Sequence, residues 1–135
     1  MQLANKTVLT LEAAKAVSAA AEAEARKNGW IVSIAVLDDS GRLVHLVRMD
    51  GSAPASVDVC QAKGRSAALF KRPTKVFSDA VGGGRVAIMA LPGAVPVEGG
   101  VPLMSDGQCV GAIGVSGVTS EQDGQIGAAG AAVLG

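Results

Sequence analysis

The chain has few residues that could do chemistry, and its single histidine is the first of them. His45 lies in an apolar run from Leu43 to Met49, where an imidazole is more often a hydrogen-bonded core or interface residue than a ligand. A metal ion or a haem iron is the alternative partner for it. The spacings of Cys60 and Cys109 to His45 match no zinc signature, so we predict no metal-ion site.

Acid–base chemistry could use Lys63, Glu98, Asp50 or Asp123. Burial can lower the pKa of a lysine until it acts as a base, and a carboxylate can accept and return a proton. Each is also an ordinary surface residue type, so none is diagnostic by itself. With one histidine, no tyrosine and no G-x-S-x-G motif, the sequence argues against a hydrolase triad.

Two glycine clusters could bring backbone close to an anionic substrate. One comprises residues 82–84 and precedes Arg85, and the other, Gly99-Gly100, follows Glu98. Glycine permits a close approach, and Arg85 or Arg48 could bind a carboxylate or phosphate. Neither cluster matches a P-loop or a dinucleotide fingerprint, and both could be simple turns.

Length and composition limit the class of protein. The 135 residues predict one domain over the whole chain. Twelve basic residues balance twelve acidic ones, and the three aromatic residues are scattered, so we predict neither nucleic-acid nor membrane partners. Nothing at the start resembles a secretory signal, and two cysteines in a chain of this length are typical of reduced thiols, so we expect a cytoplasmic protein.

Hydrophobic spacing and breakers predict helices alternating with pairs of strands. Thr10 is a plausible N-cap for the first helix, and Thr119 with Gln122 forms a capping box for the last. The predicted helices are Thr10 to Lys27, Ser56 to Phe70, two short ones over Thr74 to Ala80 and Arg85 to Leu91, and one from Thr119 to Leu134. The predicted hairpins join Ile31 to Leu37 with Leu43 to Met49, and Val101 to Ser105 with Gln108 to Val115.

The strands are apolar on both faces. In Gln108 to Val115, Ile113 and Val115 alternate with Ala112 and Gly114, and neither set is polar. Packed layers must therefore cover both sides of the sheet. Helices of the chain can cover one face or both, and a partner subunit can cover the rest, so we expect an α/β sandwich that oligomerises.

Several motifs in order make the chain resemble the GlcG/HbpS-like family, also called the haem-degrading domain family and found fused to corrinoid adenosyltransferases. The motifs are Leu9-Thr10-Leu11-Glu12-Ala13-Ala14, Ile34-Ala35-Val36, Val47-Arg48-Met49-Asp50-Gly51, Ala62-Lys63, Gly99-Gly100-Val101-Pro102-Leu103, Val110-Gly111-Ala112-Ile113-Gly114-Val115-Ser116-Gly117 and Gln122-Asp123. The resemblance covers most of the chain.

This resemblance implies a profilin-like α/β/α sandwich, of mixed α/β (α+β) class, around an antiparallel sheet of about five strands. It also implies homo-oligomers, from dimers to larger rings such as octamers. It further implies binding of haem or another tetrapyrrole, with haem degradation as a further activity. His45 would be the iron ligand, with Met49 or a cysteine, and Arg48 or Lys63 would lie near the propionates.

An enzyme of small-molecule catabolism is the alternative. Such a lyase or isomerase would act on an organic acid or oxidised aromatic by proton transfer, with Lys63, Glu98 and Asp123 as acid–base residues. Its substrate-binding residues would be Arg48, Arg85, Gly99 and Gly100.

Overall fold

A computed structural model describes residues 1–135, with helices and strands in the predicted order. The elements along the chain are α1 (Leu11–Lys27), β1 (Ser33–Asp38), β2 (Leu43–Arg48), α2 (Ala55–Phe70), α3 (Thr74–Gly82), a 3-10 helix (Val86–Ala90), β3 (Gly100–Ser105), β4 (Gln108–Ser116) and α4 (Ser120–Ala131). No helix combines the length and apolar character that a bilayer span requires.

The strands form one antiparallel sheet in the order β2-β1-β4-β3. Helix α2 packs on one face, against β1, β4 and β3, while α1 and α4 pack on the other. The predicted α/β/α sandwich is confirmed, but the expected count of about five strands is wrong, since the sheet has four. The segment between α3 and β3 contains a 3-10 helix, Pro92 and Pro96, and adds no strand to the sheet.

Small side chains let the helices approach the sheet closely on both faces. Under α1 and α4 the core contains Ile34, Val36, Ile113 and Val115, packed against alanines of α1. On the other face, a Cβ on Gly114 would collide with the carbonyl oxygen of Cys60 and the backbone of Gly64. The alanine- and glycine-rich composition is therefore what brings α2 onto the sheet.

The ends of the outer helices follow the predicted chemistry. Thr10 Oγ1 accepts a hydrogen bond from the Ala13 N–H at 3.1 Å, and Thr119 and Gln122 form both bonds of a capping box. Helix α4 is shorter than predicted, since it ends at Ala131 and not at Leu134. Bonds of the i to i+3 type then tighten the last turn, as from the Val133 N–H to the Gly130 carbonyl.

Candidate functional site

A buried ion pair joins α2 to α4. The Lys63 ammonium donates to Asp123 Oδ2 and to the Val115 carbonyl, both at 3.0 Å. Both side chains are almost fully excluded from solvent, with exposed fractions of 2% for Lys63 and 3% for Asp123. Asp123 lies in the first turn of α4, where its Oδ1 also accepts from the Val118 N–H at 3.2 Å. The pair ties the end of β4 to both helices.

Glycines before and at the start of β3 make room for this pair. A Cβ on Gly99 would lie 2.8 Å from Lys63 Nζ, and one on Gly100 would overlap the Lys63 carbonyl. The Gly100 N–H donates to Thr74 Oγ1 at 3.0 Å, which fixes this segment against α3. The sequence predicted that this glycine cluster approaches an anionic substrate; in the structure Gly99 and Gly100 lie close to Lys63 of the same chain.

Glu98, the residue before Gly99 in the sequence, also belongs to this part of the structure. A Cβ on Gly124 of α4 would collide with the Glu98 carboxylate, so this side chain lies against the start of α4. The structure thus brings together Lys63, Glu98 and Asp123 with Gly99 and Gly100. Glu98 is half-buried, whereas Lys63 and Asp123 are closed off, so only Glu98 offers a solvent-accessible group.

Burial dominates the electrostatics of the carboxylate in the pair. It raises the pKa of Asp123, and the Lys63 ammonium and the Val118 N–H offset this only in part. A bound substrate would have to displace Asp123 or the Val115 carbonyl to reach the ammonium. The Lys63–Asp123 pair thus holds α2, α4 and the end of β4 together.

His45 lies elsewhere, on the edge strand β2. It is half-buried, and no hydrogen bond or ion pair within the chain holds its imidazole. Val36 lies directly opposite it on β1 and belongs to the core under α1 and α4, so His45 shares that face. Val44 and Val47 pack against the same core. The imidazole is thus an unengaged ligand group on an apolar surface.

The other residues predicted for haem or substrate do not surround His45. Met49 is buried in the core. Arg48 pairs with Ser33, whose hydroxyl bonds to Ser56 of α2 at 2.8 Å, so Arg48 lies on the opposite face of the sheet. Its guanidinium donates to the Ser52 carbonyl at 3.4 Å. Arg85 is exposed at the start of the 3-10 helix, away from both places.

The largest surface cleft contains residues that the sequence did not single out together. Its volume is about 360 Å³, and it is lined by Lys6, Asp39, Lys71, Met104, Gly107, Gln108 and Cys109. Two ammonium groups and two sulfur atoms meet there, although Lys6 is paired with Asp39 at 2.9 Å. The cleft joins distant parts of the chain, so no local motif could have revealed it.

Cys60 and Cys109 are not bonded to each other. Cys60 is buried in α2, and its thiol donates to the Val57 carbonyl at 3.2 Å. Burial raises the pKa of Cys60 to about 12, so it is inert near neutral pH. Cys109 is half-buried at the cleft.

Comparisons with known proteins give a consistent result. The sequence model of the family described as "Haem degrading protein HbpS-like" matches residues 9–132. Protein GlcG of Escherichia coli (strain K12) is 48% identical over 111 residues, which cover 82% of this chain and 83% of GlcG. A double mutant of HbpS from Streptomyces reticuli superimposes with a TM-score of 0.89 at 36% identity, covering 98% of this chain and 91% of that one.

A haem complex is also among the similar structures. The structure of PduOC with haem superimposes with a TM-score of 0.84 at 25% identity, covering 95% of this chain and 96% of PduOC. The similarity to these solved structures thus extends over nearly the whole chain.

Proposed function

The chain belongs to the family of haem-degrading HbpS-like proteins, and we propose that it binds haem or a related tetrapyrrole through His45. The observation that carries this proposal is the state of that imidazole. It is half-buried on an apolar face and engaged by no other group of the chain. Its ring nitrogens are not among the buried, unpartnered polar atoms of the chain, so they are open to solvent and accessible to an external ligand.

The donor chemistry around His45 fits haem in part. An imidazole is a common axial ligand of haem iron, and the flanking Val44 and Val47 give the apolar contact that a porphyrin needs. Bound haem would supply iron-centred redox and oxygen chemistry. Within one subunit, however, none of the three surface clefts includes His45, so the imidazole lies outside any enclosed pocket.

The cations predicted for the propionates differ in their suitability. Lys63 is committed to Asp123 and Val115 and is closed to solvent, which argues against that role. Arg48 is exposed on the same strand as His45, although it faces the other side of the sheet. Its long side chain could reach around the free edge of β2 to a propionate.

Titration with hemin tests the proposal. We expect a shift of the Soret band on binding, which His45→Ala removes while the fold, followed by circular dichroism, is kept. Cys109→Ser and Met104→Ala are matched controls, because they remove the sulfur ligands of the large cleft. A Soret shift that survives His45→Ala and is lost with Cys109→Ser would transfer the site to the cleft and refute the role of His45.

The convergence of Lys63, Glu98 and Asp123 favours a second candidate, an enzyme that moves a proton on a small organic acid or oxidised aromatic. Glu98 would be the catalytic base or acid, since it alone is open to solvent, and the buried pair would hold β3 and α4 beside it. In a panel of such substrates, Glu98→Gln should abolish turnover and the exposed Glu121→Gln should not. Equal turnover by both variants would refute this candidate.

We also propose that the protein acts as a homo-oligomer and in the cytoplasm. The free thiols at Cys60 and Cys109 support a reducing compartment. An assembly in which a second subunit covers His45 would supply the pocket that a single subunit lacks there.

A further inference from the structure

The large cleft beside the β3–β4 hairpin shares no residue with the site at Lys63 or with the surface around His45. Its walls come from the N-terminal segment, the β1–β2 turn, the C-terminal end of α2 and the hairpin. Two ammonium groups and one carboxylate line it, those of Lys6, Lys71 and Asp39, so its walls carry one net positive charge. A concave surface of this charge favours an anionic ligand.

One cation and one amide in the cleft are free to bind such an anion. Lys6 is already paired with Asp39 at 2.9 Å, whereas the Lys71 ammonium forms no ion pair or hydrogen bond within the chain. Gln108 Oε1 accepts from the Thr7 N–H at 3.3 Å, which leaves the N–H groups of this amide to donate. An ammonium and an amide N–H together match the two acceptor oxygens of a carboxylate.

The backbone at Lys71 supports a use for its side chain. Lys71 ends α2 in the left-handed conformation, with φ 55° and ψ 40°. Glycine is the commonest residue at such a helix end, because a Cβ is disfavoured there. The Lys71 N–H closes the helix by donating to the Ala67 carbonyl, a bond that glycine would form equally well. This backbone bond therefore does not require the lysine side chain, which extends to the cleft.

A second, apolar groove adjoins the cleft at Met104. It has a volume of about 260 Å³ and lies between β3 and the C-terminal end of α4, where Val101, Ala128 and Ala131 contribute to its walls. None of its lining residues is charged. Met104 is 40% exposed and lines both the cleft and the groove. Because a methionine side chain is flexible and polarizable, it is suited to contact an alkyl chain that passes from one to the other.

We propose that the cleft and the groove together bind an organic acid with an apolar chain, such as a medium-chain carboxylate. The carboxylate accepts from the Lys71 ammonium and the Gln108 amide, and the chain passes Met104 to the alanines of α4. An exposed ion pair alone contributes little in water, so the buried part of the chain is needed for affinity. This site is independent of haem binding at His45.

Alkylation of Cys109 reports whether the cleft is occupied in haem-free protein. Cys109 lines the cleft, whereas burial raises the pKa of Cys60 to about 12, so neutral iodoacetamide at mildly alkaline pH reacts with Cys109 alone. Octanoate should slow this reaction saturably. It should do so at a concentration about tenfold lower than acetate or inorganic phosphate at the same ionic strength, because only octanoate has a chain to bury. Octanoate that protects Cys109 no better than acetate or phosphate would overturn the proposal.

Two pairs of variants test the head and the chain separately. Lys71→Gln removes the free cation and should weaken protection by octanoate about tenfold. Arg72→Gln is its control, because it changes the same charge at the next exposed residue, which does not line the cleft. Ala128→Glu places a carboxylate in the groove and should weaken protection by about tenfold or more. Ser120→Glu, at the opposite end of α4, is the second control. Equal protection in a variant and its control, for either pair, would overturn the proposal.

The variant Lys71→Gly tests why a lysine ends α2. Glycine relieves the left-handed backbone, so the urea midpoint of unfolding should rise. Protection of Cys109 by octanoate should weaken as in Lys71→Gln, because the same ammonium is lost. A lower midpoint together with undiminished protection would assign the lysine to the helix end and overturn the proposal.

Discussion

The Lys63 ammonium and the Asp123 carboxylate meet at 3.0 Å between α2 and α4, with almost no exposure to solvent. The ammonium also bonds to the Val115 carbonyl at the end of β4, so one lysine connects two helices with the sheet. Charges removed from water require complete pairing to be tolerated. The Lys63–Asp123 ion pair therefore contributes mainly to the stability of the fold. It can affect chemistry only through the neighbouring Glu98.

Removing one partner of the pair should destabilise the fold strongly. Lys63→Met leaves the Asp123 carboxylate buried without its cation, and we expect a loss of about 3–5 kcal/mol in the free energy of unfolding by urea. The double variant Lys63→Met with Asp123→Leu removes both charges and should recover most of that loss. Exposed Lys75→Met, which breaks the surface pair with Asp79, is the control and should change stability by less than about 1 kcal/mol. A small effect of Lys63→Met would show that the pair does not hold the helices.

Stability should depend on pH through Asp123. Burial raises the pKa of this carboxyl above its value of 3.8 in the unfolded chain. The protonated Asp123 carboxyl therefore contributes its full stabilisation of the folded state below pH 3.8. This stabilisation is lost as the pH rises through the higher pKa that the carboxyl has in the folded chain. The stability of the wild type relative to Asp123→Asn should fall as pH rises from about 3.5 toward neutrality. A relative stability that rises over this range would mean that Lys63 lowers the pKa more than burial raises it.

The two thiols should differ in reactivity. The buried Cys60, with its pKa raised to about 12, has almost no thiolate at pH 8, whereas Cys109 lies half-buried at a cleft. A disulfide reagent at pH 8 should modify one thiol in the native chain and two after denaturation. Cys109→Ser should abolish the native reaction. Native modification of Cys60, detected by peptide mass, would contradict the burial of this side chain.

Gly114 should tolerate no side chain. Its Cβ would overlap the Cys60 carbonyl and the Gly64 backbone, neither of which can move without shifting α2. We expect Gly114→Ala to lower the free energy of unfolding by about 3 kcal/mol or more. Gly82→Ala is the control, because Gly82 is exposed and nothing lies within 4 Å of its Cβ position. Similar stability of the two variants would show that α2 does not approach β4 this closely.

Local chemistry was sufficient to predict most of the fold. Thr10 and Thr119 identify two helix starts because capping acts within one turn, and the Asp106-Gly107 turn identifies the second hairpin. The expectation of a fifth strand came from the family resemblance and was wrong. The residues before β3 add no strand, because they form a 3-10 helix and a loop with Pro92 and Pro96.

The sites were less predictable, because they depend on contacts between distant parts of the chain. Residue type alone points to Lys63, Glu98 and Asp123, whereas their convergence follows from the packing of α2 and α4 around the end of β4. Arg48 and His45 are close in sequence but face opposite sides of the sheet. The large cleft at Lys71 and Cys109 has no sequence signature at all.

The absorption spectrum during hemin titration, compared between the wild type and His45→Ala, decides whether His45 is the haem ligand. We expect a shifted, saturable Soret band for the wild type and the spectrum of free hemin for the variant. An identical shifted band in both proteins, or no shift in either, would contradict the assignment of His45 as the haem ligand.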